Sequence, residues 1–115
     1  MYPSITLTAE EVTFVSAYFE AVDFTEEAEG REIGEEFERA SVIDCLAFYA
    51  KFQCYIPTES LKSVAHNFWY SRNGHGVGFW DRRAGLENIQ EHVCDRMQSY
   101  SEAVGEACVM YWEDS

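Results

Sequence analysis

Sixteen residues in the middle of the chain constrain its fold more than any other stretch: His66-Asn67-Phe68-Trp69-Tyr70-Ser71-Arg72-Asn73-Gly74-His75-Gly76-Val77-Gly78-Phe79-Trp80-Asp81. Residues 68–72 and 77–81 carry the aromatic and β-branched side chains that favour strands. Asn73-Gly74 between them is a strong turn signal, because both residues tolerate positive φ. The stretch therefore reads as a β-hairpin. A two-residue turn would pair Arg72 with His75, Tyr70 with Val77, Phe68 with Phe79 and His66 with Asp81. A four-residue loop over 73–76 would instead pair Arg72 with Val77 and Trp69 with Trp80. One residue of slip moves every side chain to the other face, and the first register is the preferred one. Gly76 and Gly78 cost strand entropy and suggest a bulge, a looser turn or close packing by a ring.

The segment from Ala65 to Arg82 also resembles the signature of a family of small, acidic, uncharacterised proteins encoded by tailed bacteriophages. Members carry a run close to His-Asp-Phe-Trp-Leu-Thr-Arg-Asn-Gly-His-Gly-Ala-Gly-Phe-Trp-Asp. His66, Arg72, Asn73, Gly74, His75, Gly76 and the Gly78-Phe79-Trp80-Asp81 end agree with it, while Asn67, Tyr70, Ser71 and Val77 replace the usual Asp, Leu, Thr and Ala. Upstream, Asp44-Cys45 followed by Phe48 is a weaker echo. The resemblance implies a phage origin, and with it a location in the cytoplasm of an infected bacterial host.

A chain of 115 residues is expected to form one domain spanning 1–115. Its apolar content of 47% argues against disorder despite the charge. No run approaches the length of an apolar membrane span, and residues 1–8 lack the basic and apolar regions of a signal peptide, so no membrane association is expected. Cys45, Cys54, Cys94 and Cys108 form no Cys-x-x-Cys pair and read as four buried, reduced thiols.

Thr8-Ala9-Glu10-Glu11 has the capping-box pattern and should start a helix whose Val12, Val15, Phe19 and Val22, with Tyr18 beside them, face the core. Residues 23–34 read as an exposed acidic loop broken by Gly30 and Gly34. A longer central helix is expected from Glu35 to about Cys54, and a short one from Thr58-Glu59-Ser60-Leu61 to about Ala65. Leu86, Ile89, Val93, Met97, Tyr100 and Val104 follow the clearest helical period, which Gly105 is placed to end with a left-handed cap. Residues 107–112 read as a strand. The expected fold is α+β: a small antiparallel sheet, made of hairpin 66–81 and C-terminal strand 107–112, packed against three to four helices.

Lys plus Arg number 8 against 21 Asp plus Glu, a net charge of −13, which disfavours direct nucleic-acid binding because such binding draws on cations that neutralise phosphates. The charge is also polarised. Between Glu10 and Glu38 lie eleven acids and a single base below position 39, Arg31, so ten of the thirteen net negative charges fall in that segment. Such a run is commonly just a solvated face. It would also steer a basic partner.

Metal and acid/base chemistry has little support. His66 opposite Asp81 would tie the hairpin's open end, His75 would sit exposed in the turn, and His92 reads as a surface residue on the last helix. Cys94 and His92 point in different directions on that helix, so no zinc site and no cofactor are expected. Asn73-Gly74-His75-Gly76 lacks the Lys-Ser/Thr ending and following helix of a phosphate loop.

Two functions compete. The leading expectation is a non-enzymatic phage accessory protein, an inhibitor or modulator that binds a host nucleic-acid-handling or defence protein. It would act as a monomer or small homo-oligomer, through a nucleic-acid-mimicking surface made by Glu20, Asp23, Glu26, Glu27, Glu29, Glu32 and Glu35. The alternative is a small enzyme or ligand-binding protein with a polar site at His66, Arg72, Asn73, His75 and Asp81. The two are distinguished by whether those side chains converge on one concave pocket.

Overall fold

In a computed structural model, which describes residues 7–26, 34–74, 79 and 86–105, the described residues form a bundle of four helices. They are α1 (Ala9–Glu26), α2 (Glu35–Phe52), α3 (Leu61–Arg72) and α4 (Glu91–Val104). Single 3₁₀ turns at Gln53–Tyr55 and Thr58–Ser60 join α2 to α3. No strand occurs among the described residues, so the α+β expectation is wrong and the protein is helical there.

The correction centres on α3. Residues 68–72, expected as the first hairpin strand, continue the helix that begins at Leu61. Leu61, Val64, Ala65, Phe68, Trp69 and Arg72 recur at helical spacing, and all six are buried. An alternating strand would have exposed one of each adjacent pair, yet Phe68 and Trp69 are 0% and 1% exposed. Strand propensity of aromatic residues reflects how well they pack on a half-buried surface, and a helix surrounded by other helices satisfies the same need. Asn73-Gly74 also takes another role. Asn73 caps α3, and Gly74 follows at φ 72°, the conformation that commonly terminates a helix. The freedom that suits a hairpin turn here stops a helix. Of residues 75–81 only Phe79 is described; it is buried, and the remainder of the second strand and residues 107–112 lie outside the described residues.

The other helices follow their sequence signals more closely. At the start of α1 the Thr8 amide donates to Glu11 Oε1 at 2.8 Å and the Glu11 amide to Thr8 Oγ1 at 3.2 Å, the reciprocal pair of a capping box. The buried face of α1 is Phe14, Val15, Ala17, Tyr18, Ala21 and Val22, so Val12, expected inside, stands 49% exposed. The central helix runs from Glu35 as expected and ends at Phe52, with Ile43 outside the core at 57% exposed. Leu86, Ile89, Val93 and Met97 are buried and Tyr100 is partly so, but α4 begins only at Glu91; Leu86 and Ile89 lie in the turn before it. Gly105 ends α4 at φ 85° and ψ 175°, a positive φ but outside the left-handed helical region expected of it, with its amide donating to the Ser101 carbonyl at 3.2 Å. Cys45 and Cys94 are buried and Cys54 is exposed, contrary to expectation for that thiol.

One aromatic cluster joins the elements. The Phe48 ring on α2 lies 4.5 Å from Phe68, 4.9 Å from Phe52, 5.7 Å from Phe14 and from Tyr100, and 6.0 Å from Phe79, centroid to centroid. On the other side of α3, Trp69 meets Tyr18 and Phe37 edge to face at 5.5 and 6.3 Å. Phe48 stacks on Phe68 and Phe79, and stacked and edge-to-face pairs are both favoured by the ring quadrupoles. Helix α3 packs chiefly on α1 and then on α4, which places it at the centre of the bundle.

Replacing Phe48 by Ala is expected to destabilise the protein by about 3–5 kcal/mol, because the cavity is walled by five other rings that cannot all collapse inward. A urea titration reads this as a lower midpoint. Thr8→Ala, which removes one half of the capping box, is expected to cost about 1 kcal/mol on the same measurement.

Candidate functional site

The buried stripe of α3 ends in a cation. Arg72 continues the apolar series Leu61, Ala65, Phe68 and is 6% exposed, a position that costs several kcal/mol unless its charge and donors are met. They are met from three directions. Nη1 lies 3.0 Å from Asp44 Oδ2 on α2 and donates to the Tyr18 hydroxyl on α1 at 3.1 Å. Nε donates to the carbonyl of Gly105, just past α4, at 2.9 Å. The guanidinium carbon stands 5.4 Å from the Phe68 ring centroid, a cation–π contact. One side chain thus fastens all four helices.

This environment sets the protonation of its neighbours. Burial pushes the Tyr18 hydroxyl up to about 12, opposed by the Arg72 charge, reinforced by Cys45, and lowered by hydrogen bonds with Ser41 and Arg72. Burial likewise pushes the Cys45 thiol well up, against the pull of Arg72 and with the help of Asp44. Cys45 is therefore a thiol, without the thiolate a nucleophile needs. The cluster of Tyr18, Ser41, Asp44, Cys45 and Arg72 is a charged clamp.

The remaining residues of the proposed polar site do not converge with Arg72. His66 is six residues earlier on α3, so the two side chains leave the axis about 120° apart. Its Nε2 faces Glu20 Oε1 on α1 at 3.4 Å, in a partly exposed contact. Asn73 turns back on its own helix, donating Nδ2 to the Trp69 carbonyl at 3.0 Å. His75 and Asp81 lie outside the described residues.

A second buried polar knot sits between α3 and α4. Gln98, 5% exposed, accepts at Oε1 from Ser71 Oγ at 2.9 Å and from the Phe79 amide at 3.0 Å, and donates to Glu102 Oε2 at 2.8 Å. It pins the main chain at Phe79 to α4. Sequence reading missed Gln98, Ser71 and the role of Tyr18. Their only signal was a polar atom at a core position of a helical period, which is legible only once the period is assigned correctly.

The acidic surface is partly described. Glu20, Asp23 and Glu35 are exposed. Glu20 and Asp23 share the face of α1 opposite Phe14 and Tyr18, together with Ser16. The side chain of Glu26 and all of Glu27, Glu29 and Glu32 lie outside the described residues. Glu35 opens α2 and pairs with Arg39 one turn on, both well exposed. The field is felt at Tyr49, whose hydroxyl is pushed up by desolvation and then by Glu10 and Glu11. His92 is exposed and Cys94 buried, and no group of three or more metal-ligating side chains occurs among the described residues. No described helix is long and apolar enough to cross a membrane.

No family model matches the sequence, and comparisons with curated proteins and with solved structures give no match either.

Asp44→Asn strands the Arg72 cation in the bundle and is expected to cost about 2–4 kcal/mol. The double variant with Arg72→Met should cost less than the two single changes together, which a double-mutant cycle in urea reads directly. Tyr18 adds a pH signature. A hydroxyl whose folded pKa is raised keeps its proton longer in the native state, so its contribution is fully present below pH 10 and is lost as pH rises from 10 towards 12. Thermal unfolding across that range should show a fall in stability attributable to this group, smaller in Tyr18→Phe.

Proposed function

We propose that the protein is a non-enzymatic binding module that engages a basic protein surface through the acidic face of α1 and the start of α2. The carrying observation is the distribution of charge: ten of thirteen net negative charges lie between Glu10 and Glu38, and Glu20, Asp23, Glu35 and Glu36 in that segment are exposed. Arg39, the described base that follows them, is already paired with Glu35. Arg72 is withdrawn into the bundle and paired with Asp44, so it does not offset the carboxylates of the outer surface. Fields of this kind raise encounter rates with basic partners and disfavour acidic ones.

A host protein that handles nucleic acid fits this chemistry, because its working groove is basic and an array of carboxylates occupies it in place of phosphates. The resemblance to small acidic phage proteins points the same way. An enzymatic role for the His66–Asp81 segment gains little from Arg72, which is buried with its Nε and Nη1 engaged by Gly105, Tyr18 and Asp44.

The test uses the immobilised protein with a bacterial lysate. Retained host polypeptides should elute with salt and with competing duplex DNA, and the reading requires both. The triple reversal Glu20→Lys, Asp23→Lys, Glu35→Lys should slow association with the purified target by about tenfold or more at low salt. The difference should shrink at high salt, where the screening length falls to about 3 Å. A reversed variant that binds as fast as the parent at every salt concentration would sink the proposal.

A further inference from the structure

A shallow, solvent-open cleft of about 400 Å³ lies between the last turn of α2 and the outer face of α4, lined by Lys51, Asp95, Arg96, Ser99 and Tyr100. It lies outside the segment that carries the acidic charge. Among the described residues the bases are Arg39, Lys51, Lys62, Arg72 and Arg96. Arg39 and Arg72 are engaged by carboxylates. Lys51 and Arg96, both exposed, form the two walls of this cleft.

These two cations are held by rings. Lys51 Nζ stands 5.8 Å from the Phe52 centroid and 5.9 Å from that of Tyr100, and the Arg96 guanidinium carbon 5.9 Å from Tyr55. Neither makes an ion pair with a described carboxylate. A ring face orients a cation without neutralising it, so each keeps its N–H donors for another acceptor. The floor is firm, since Tyr100 packs edge to face on both Phe48 and Phe52 at 5.7 Å. Lys51 also sits in the last turn of α2, where the helix's negative end takes part of its field. Arg96 is free of that competition and has the planar fork that matches an oxyanion.

We propose that this cleft binds a small molecule through an oxyanion, a carboxylate or a phosphoryl group, gripped between Arg96 and Lys51 above the Tyr100 ring. The volume exceeds what a bare oxyanion needs and the cleft is open to solvent, so the remainder of the ligand rests one side on Tyr100 and Ser99 and keeps the other in water. The net charge of −13 repels anions at long range, which makes any anion that does bind a report on local contacts.

Amide correlation spectra of the full chain, titrated separately with inorganic phosphate, benzoate and adenosine monophosphate, test this. Saturable shifts confined to residues 51–55 and 95–100, with a dissociation constant at or below about 1 mM for at least one probe, are expected. The phosphate and benzoate arms tell which oxyanion is preferred, and the nucleotide arm whether a ring adds affinity. Arg96→Gln should weaken binding about tenfold and Lys51→Gln less. Both positions are exposed, so the spectra themselves show that the fold is retained. Shifts that stay linear to tens of millimolar for every probe, or that are the same size in Arg96→Gln and Lys51→Gln as in the parent, overturn the proposal.

Discussion

A guanidinium buried in the middle of a small helical bundle sets conditions on every element around it. Arg72 needs a carboxylate, acceptors for its remaining donors and a ring face, and these come from Asp44 on α2, Tyr18 on α1, the carbonyl of Gly105 after α4, and Phe68 on its own helix. Each helix must arrive at the right height for the charge to be met. A buried ion pair adds little net stability over an apolar replacement, since desolvation offsets most of the attraction. Its greater effect is on register, because helices sliding past one another would leave a charge stranded.

The apolar packing supplies the stability that the clamp does not. Twelve residues are too few for α3 to be stable alone in water, so its helicity depends on burying Phe68 and Trp69 against α1 and α2. Phe48 serves the same purpose from α2, touching rings from every other helix or from the segments between them. Gln98 extends the arrangement by anchoring the main chain at Phe79. Polar groups at the core are thus few, and each is bonded: among the described residues no buried side-chain nitrogen or oxygen lacks a partner.

With one base consumed inside, the surface divides by charge. The outward side of α1 and the first turn of α2 carry exposed carboxylates, while Lys51 and Arg96 lie together at the junction of α2 and α4. On the readings proposed above, the two regions would take opposite partners, a basic protein surface and a small oxyanion. Helices suit such separation, since each presents one stripe to the core and leaves the rest for solvent and partners.

Local chemistry determined a good deal by itself. The capping box at Thr8, the uninterrupted run from Glu35 and the spacing of Val93 and Met97 each depend on neighbours within a few residues, and the structure follows all three. The concentration of acids between Glu10 and Glu38 was legible too, because charge is a property of composition. Tertiary structure decided the state of residues 61–74. Their aromatic run and Asn73-Gly74 fit a hairpin and a capped helix equally well. Burial on α1 and α4 selected the helix, because only the 3.6-residue period puts Leu61, Ala65, Phe68 and Arg72 on one buried stripe. The same choice turned Arg72 from a candidate ligand-binding residue into an internal fastener. Its partner Asp44, twenty-eight residues away in sequence, could be recognised only once the helices were packed.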